Sequence, residues 1–383
     1  MKNKKNDLLS AAGHLAYRRT PIEIESPEQL GYENIRYNLT ESSVPDVVLS
    51  ELDLNLKDMV LCYTDHMGKP GLRQRIAAEG QGLNPQHVMI TTGAVAALFI
   101  IATSLLKAGS HMIVLHPNYV ANIETPRAIG CQVDYLRLSF EEKFGLDIKK
   151  LEKLIKPDTR LVSLTYPHNP TGTVLSEAQL QEVVSLVESK GCWLVFDETY
   201  RDMAFDRPLP MAASLSPNVI SVSSFSKSYG LPGIRTGWLI SKDKDLMETF
   251  LAAKEQIFIC NSVVDEEIAD RYLAKKAQLF PKIKNHIRTN FAVVKAWMEK
   301  EQHLQWIEPK GGCVGFPRFN PDIDIDIDNF YRVLNEDYKT YVGPGHWFEM
   351  DRKFMRIGYG WPGKQAVSGG LDAISEAIKK AVH

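Results

Sequence analysis

The chain has 383 residues, 44% of them hydrophobic and 24% charged, with a formal net charge of −2. A chain of that length buries a large core without disulfide or metal staples, and its composition excludes a disordered or fibrous protein. The near-neutral balance offers no general attraction for nucleic acid or anionic lipid, so neither is an expected partner.

The chain opens on a basic, polar stretch, Met1–Asp7, with no signal-type apolar segment behind it. Residues 1–36 show no strong period and read as an arm that packs late or on a partner. From Val88 onward, short apolar runs alternate with helical stretches. The longest greasy run, Ala94–Leu106, stops at Lys107 and contains Thr103 and Ser104. It is too short and polar to span a bilayer and reads as a buried helix. His111–Leu115, Gln132–Leu136, Leu161–Thr165, Cys192–Phe196, Val219–Val222 and Thr236–Ile240 read as strands, and Ser176–Lys190 as a helix capped by Ser176. Strands apolar on both faces that alternate with helices indicate an α/β fold, a mostly parallel sheet flanked by helices.

After Asp243 the texture changes. Asp243–Ile259, Asp265–Ala277 and Ile283–Lys300 read as long amphipathic helices. Short strands follow within Gly311–Pro317, Tyr341–Gly345 and Phe354–Gly358, then a last helix, Gly370–Val382. The expected division is an arm with part of a small domain over 1–44, a large domain over 45–262 and a small α+β domain over 263–383. The Asp322–Asp328 alternation lacks the Gly and closing Glu of a calcium loop. It reads as an extended strand whose last Asp caps a helix near Asn329, and no metal is expected. The five cysteines are scattered without a CxxC pair, which points to reduced thiols and a cytoplasmic protein.

Four segments carry the chemistry. Ser223–Arg235 places Lys227 just beyond the carboxyl end of a buried strand, where open α/β sheets bind ligands. An amine among small hydroxyl residues and glycines, with an arginine eight positions on, suits imine formation beside an anion pocket. Asp197 sits at the exit of a second apolar strand, followed by Tyr200. Tyr166–Gly172 is a rigid loop after a third strand and carries Asn169. Thr91–Ala97 opens a helix on small residues that leave backbone N–H groups free for an anion.

Together these segments resemble the class I/II aminotransferase family of fold-type-I pyridoxal-phosphate enzymes, from about Asn38 to the C-terminus. The resemblance implies a homodimer with an active site at the subunit interface and pyridoxal 5'-phosphate as cofactor. It also implies roles. Lys227 matches the lysine that bonds the cofactor and shuttles protons, and Asp197 the carboxylate that keeps the pyridine nitrogen protonated. Asn169 and Tyr200 match the partners of the ring's phenolic oxygen, and Tyr119 the aromatic that stacks on the ring. Ser224, Arg235 and the backbone at Gly93, Ala94 and Val95 match the phosphate cup, with Tyr63 reaching the phosphate of the neighbouring subunit. Arg356 matches the clamp on the substrate α-carboxylate.

The sequence departs from the family at Leu39–Pro45, where a glycine-containing turn is usual and Glu41 adds a carboxylate. Similar turns belong to the capreomycidine-synthase-like branch, which uses the cofactor for a cyclisation. Trp347 and Phe348 are equally readable as pocket wall or as small-domain core. The expected activity is transfer of an amino group between an α-amino acid and a 2-oxo acid. The alternatives are a lyase or cyclase on the same cofactor, with His168 as a cue for the lyase, and a cofactor-binding regulator without turnover. An acidic side chain on the substrate is expected no more than an aromatic or aliphatic one.

Overall fold

A computed structural model describes residues 15–383; the Met1–Asp7 stretch lies outside them. Thirteen strands occur among the described residues. β1 (Tyr37–Leu39) comes first, followed by β2 (Val88–Thr91), β3 (His111–His116), β4 (Gln132–Arg137) and β5 (Thr159–Thr165). Next are β6 (Trp193–Asp197), β7 (Val219–Ser224) and β8 (Gly237–Ile240). The C-terminal part adds β9 (Leu304–Gln305), β10 (Val314–Gly315), β11 (Arg318–Phe319), β12 (Thr340–Pro344) and β13 (Met355–Gly358).

Seven strands form one sheet in the order β2-β8-β7-β6-β5-β3-β4. It is largely parallel, as expected, but β8 runs antiparallel to both β2 and β7. The β7–β8 connection carries the Lys227 loop and no α-helix, so it turns the chain back rather than crossing over. Helices cover both faces, so the central strands are buried throughout, in β3 and β7 at every residue. Successive residues serve opposite cores. Ile113 and Leu115 pack with Val183 and Val187 of the helix Glu177–Lys190. Met112 and Val114 pack with Ile100 and Phe250 of Gly93–Leu105 and Lys244–Ile257. The helix Glu177–Lys190 begins on a reciprocal cap: the Gln179 N–H donates to Ser176 Oγ at 3.1 Å, and the Ser176 N–H to Gln179 Oε1 at 3.0 Å. Among the described residues no helix is long and apolar enough to cross a membrane.

The second expected texture is present with four corrections. The stretches Asp265–Ala277 and Ile283–Lys300 belong to one 36-residue helix, Val263–Met298, which continues through Pro281. Proline removes one helical hydrogen bond, but packing on both sides holds the helix together. Tyr272 and Phe280 lie in the core beside Phe225 and Trp238, and Ile287, Val294 and Met298 in the core beside Leu371 and Ile374. The last helix starts at Lys364, not Gly370. Gly369 and Gly370 are interior positions where a Cβ would come within 2.5 Å of the Tyr37 ring and 2.7 Å of Leu39. Their role is close approach of β1, not a helix boundary. Asp326, not Asp328, caps the helix Ile327–Arg332, accepting from the Asn329 N–H at 2.9 Å, and the preceding segment is loop with one bridge at Ile325.

The fourth correction concerns the arm. β1 pairs in parallel with β12, in the small sheet β1-β12-β13-β10, and residues 21–30 fold back on their own chain. Glu25 accepts from Trp347 Nε1 at 2.7 Å and pairs with His346 at 2.9 Å, while Pro27 is buried.

Candidate active site

The carboxyl ends of β5, β6 and β7 open on a cavity of about 590 Å³. Asn169 follows β5, Asp197 ends β6 with Thr199 and Tyr200 beyond it, and Ser224 ends β7 with Ser226 and Lys227 beyond it; all line the cavity. The first turn of Gly93–Leu105 adds Ala94 and Val95, and β13 adds Arg356. Tyr119 and Arg235 also line it. Gly93 lies behind the wall, against Arg235.

Hydrogen bonds between loops set these positions. Ser228 Oγ donates to the Thr199 carbonyl at 2.6 Å, tying the lysine loop to the Asp197 loop. Asn118 Oδ1 accepts from Thr165 Oγ1 at 3.0 Å and from the Tyr119 N–H at 2.8 Å, which seats Tyr119 over the end of β5. The Leu39–Pro45 turn is fastened from both sides. The Val44 N–H donates to the Lys227 carbonyl at 3.2 Å, and Arg356 Nη2 to the Thr40 carbonyl at 2.6 Å. A Cβ at Gly358 would sit 1.9 Å from the Glu41 carbonyl, so the turn lies directly against β13.

The charged groups are incomplete. The Lys227 amine makes no hydrogen bond or ion pair among the described residues. Desolvation draws its pKa below the usual lysine value; Glu41 opposes that shift and Arg356 adds to it. Asp197 is buried and faces no cation among the described residues. Desolvation raises its pKa, against hydrogen bonds from Thr199 Oγ1 at 2.6 Å and the Thr199 N–H at 3.1 Å. Arg356 is 4% exposed, donates from Nη1 to Asn169 Oδ1 at 3.0 Å and leaves Nε without a partner. Burial pulls its pKa down as well. Burial pushes the Tyr119 phenol up to about 12, and Tyr200 is raised by the same cause.

Arg235 has φ 46°, a left-handed conformation uncommon for a side chain of its size. Its Nη1 donates to the Pro232 carbonyl at 2.9 Å and to Ser226 Oγ at 3.3 Å, and no carboxylate faces it among the described residues. A Cβ at Gly93 (φ +76°) would lie 2.8 Å from Arg235 Nη2, and one at Gly237 would lie 2.7 Å from the Ala94 nitrogen. Two glycines thus keep an open cup between a guanidinium and a helix N-terminus, which suits an anion. A cup of a guanidinium and helix N–H groups, a buried carboxylate without a cationic partner among the described residues and an amine of lowered pKa fit the phosphate, ring nitrogen and aldehyde of pyridoxal 5'-phosphate.

Other expected residues fall differently. Tyr63 is 81% exposed and outside the cavity, beside the exposed Val60 and Leu61. His168 is buried behind the wall: its Nε2 donates to the Pro117 carbonyl at 2.8 Å, which leaves Nδ1 to accept from Thr171 Oγ1 at 2.7 Å. It braces two loops and does not line the cavity. Trp347 lines the cavity, whereas Phe348 is buried with Arg356 5.0 Å over its ring. Sequence reasoning missed Ser226 and Thr199, although both follow strand ends already singled out. It also missed Ile22, Glu23, Ser26, Pro27 and Glu28, for which the sequence holds no signal.

A model of the family described as aminotransferase class I and II matches residues 29–366. Capreomycidine synthase of Streptomyces vinaceus is 30% identical over 317 residues, covering 82% of this chain and 79% of that protein. An aspartate aminotransferase of Sulfurisphaera tokodaii is 23% identical over 371 residues, covering 92% and 91%. The crystal structure of a PLP-dependent aminotransferase from Streptococcus suis superposes with a TM-score of 0.88 at 25% identity, over 95% of this chain and 99% of that one.

Proposed function

Because the chain belongs to the class I and II aminotransferase family, it is an enzyme that transfers amino groups with pyridoxal 5'-phosphate, and we propose the residues that do so. When bound, that cofactor supplies an electron-poor ring that takes up the electron pair left at the substrate α-carbon and carries the amino group between an α-amino acid and a 2-oxo acid.

Arg235, Ser224 and the N–H groups of Ala94 and Val95 would hold the phosphate, with Gly93 leaving the room. Asp197, buried and with no cation against it among the described residues, would hold the proton on the ring nitrogen. Tyr119 would cover a ring face, and Asn169 and Tyr200 would hydrogen-bond the ring oxygen. Arg356 receives the substrate α-carboxylate on its guanidinium fork, oriented by Asn169 and the Thr40 carbonyl. Lys227 Nζ would hold the cofactor covalently and, when free, would be the base that takes the substrate α-proton and the acid that returns it. Its lowered pKa leaves more of the amine free to accept that proton near neutral pH.

The observation that carries this assignment is the convergence in one cavity of Lys227, whose amine has no hydrogen-bond partner among the described residues, Asp197, which has no cationic partner among them, and Arg356, whose Nε is unpartnered. Borohydride reduction of the yellow holoenzyme should fix the cofactor mass on Lys227, and transfer should require a 2-oxo acid acceptor. Lys227→Ala should lose the adduct and turnover; undiminished turnover in that variant sinks the assignment.

A homodimer is supported by Val60, Leu61 and Tyr63, which are 73%, 76% and 81% exposed on one segment; in such a dimer Tyr63 would serve the partner's phosphate cup. Five unpaired cysteines support a cytoplasmic location. The 1–44, 45–262 and 263–383 division is supported by β1 joining the sheet of the C-terminal part. A second reading, elimination or cyclisation on the same residues, is favoured by Glu41 in the cavity wall and by the likeness to capreomycidine synthase. Product release from a single amino acid without an acceptor separates it from transamination.

A further inference from the structure

Seven charged side chains line the cavity, and four have roles above: Lys227, Asp197, Arg235 and Arg356. The remaining three, Glu23, Glu28 and Glu41, are all acids. None of them pairs with a Lys, Arg or His among the described residues. Glu41 accepts only from the Tyr32 hydroxyl at 3.1 Å, and Glu23 only from the Tyr119 hydroxyl at 3.5 Å through its side chain. The apolar lining between them, Ile22, Leu98 and Trp347, suits an aliphatic stem.

These acids are held in place. Glu41 follows Thr40, whose carbonyl accepts from Arg356 Nη2 at 2.6 Å, and its own backbone rests on Gly358. Glu41 is therefore placed relative to the guanidinium that receives the α-carboxylate. The arm that carries Glu23 and Glu28 is pinned through Glu25 to Trp347 Nε1 at 2.7 Å. Arg356, buried with Nε unpartnered, independently marks this cavity as a site for a ligand carboxylate.

A substrate anchored at Arg356 would lie in a cavity that three carboxylates also line. An acidic side chain meets like charge there, and a neutral one leaves the carboxylates to water. A cationic one gains charge-assisted hydrogen bonds, and a guanidinium can make two to a single carboxylate. We propose that the enzyme takes α-amino acids whose side chain ends in a cation, guanidinium or ammonium, and that Glu41 pairs with that cation. The proposal rests on the aminotransferase reading and names its substrate class.

The test measures single-turnover bleaching of the holoenzyme by L-arginine and L-lysine, their neutral counterparts L-citrulline and L-norleucine, and L-glutamate. At least one cationic substrate should exceed its neutral counterpart in kcat/KM by about tenfold to a hundredfold, the range of one charge-assisted hydrogen bond, with glutamate slowest. The arginine and lysine arms distinguish guanidinium from ammonium. Glu41→Gln should bring the cationic-to-neutral ratio down about tenfold, chiefly through KM. Des-amino arginine and des-amino citrulline, which carry no amine to react, should show the same preference as Kd values by calorimetry.

Glutamate or the neutral amino acids reacting as fast as the cationic ones overturns the proposal and leaves aminotransfer standing, as does an unchanged ratio in Glu41→Gln. A holoenzyme that traps cofactor on Lys227 yet reacts with no amino acid removes the aminotransferase reading, and this proposal with it.

Discussion

Arg356 is held at two points before a substrate arrives, by Asn169 Oδ1 at 3.0 Å and the Thr40 carbonyl at 2.6 Å, with the Phe348 ring 5.0 Å beneath it. A lysine has one charged nitrogen and no fork, so it can satisfy those acceptors or the substrate carboxylate, but not all of them. Arg356→Lys should raise KM for the amino acid by roughly tenfold to a hundredfold and leave the cofactor band intact, as steady-state kinetics and absorbance would show. Gly237 is as specific for a different reason. A Cβ there would sit 2.5 Å from the Gly93 carbonyl carbon and 2.8 Å from the Ser223 carbonyl oxygen. All are backbone atoms, so the helix N-terminus itself must move. Gly237→Ala should weaken cofactor retention at least about tenfold and destabilise the fold by about 1–3 kcal/mol, measured by dialysis and by urea unfolding.

Elements place the site through their ends, and the loops at those ends are braced by buried polar groups. His168 is the clearest case. Burial drives its pKa from 6.5 down to about 4, so the folded protein holds it neutral between the Pro117 carbonyl and Thr171 Oγ1. The unfolded chain takes up the proton first as pH falls. The stability this group contributes is therefore complete above about pH 6.5 and lost as pH drops through about 4, some 3 kcal/mol across the window. Urea midpoints at intervals from pH 7 to 4 should decline more steeply in the wild type than in His168→Gln, by the slope of one proton. Equal slopes would mean that the imidazole is already charged in the fold. The same scale shows what patterning conveys well. The Glu177–Lys190 helix and its Ser176–Gln179 cap follow from spacing alone, because every bond in that cap lies within four residues.

At the scale of the whole molecule, the Val263–Met298 helix runs through both cores, and Val60, Leu61 and Tyr63, on one segment, are left largely uncovered by the described residues. If a second subunit covers that segment, Leu61→Asp should shift sedimentation from dimer toward monomer and slow cofactor uptake, because Tyr63 would leave the partner's cup. A variant that stays dimeric with unchanged uptake would place the interface elsewhere.

Residues that act through neighbours in the chain were legible in advance. Lys227 and Ser224 beyond β7, Asp197 at the end of β6, Asn169 beyond β5 and the small residues opening Gly93–Leu105 all lie at strand or helix ends. Alternation of apolar runs with turn residues marks such ends, and the sheet then gathers them. By itself the sequence determined an α/β sheet with this chemistry at its carboxyl edge. Only the tertiary structure decided that one helix continues through Pro281, that His168 stands behind the wall, and that the arm closes the cavity with Glu23 and Glu28. The reason is physical: those outcomes rest on pairs such as Glu25 with Trp347 and Thr40 with Arg356, more than 300 residues apart. No local period or turn preference encodes such contacts; they form when the chain ends are brought together by packing of the cores.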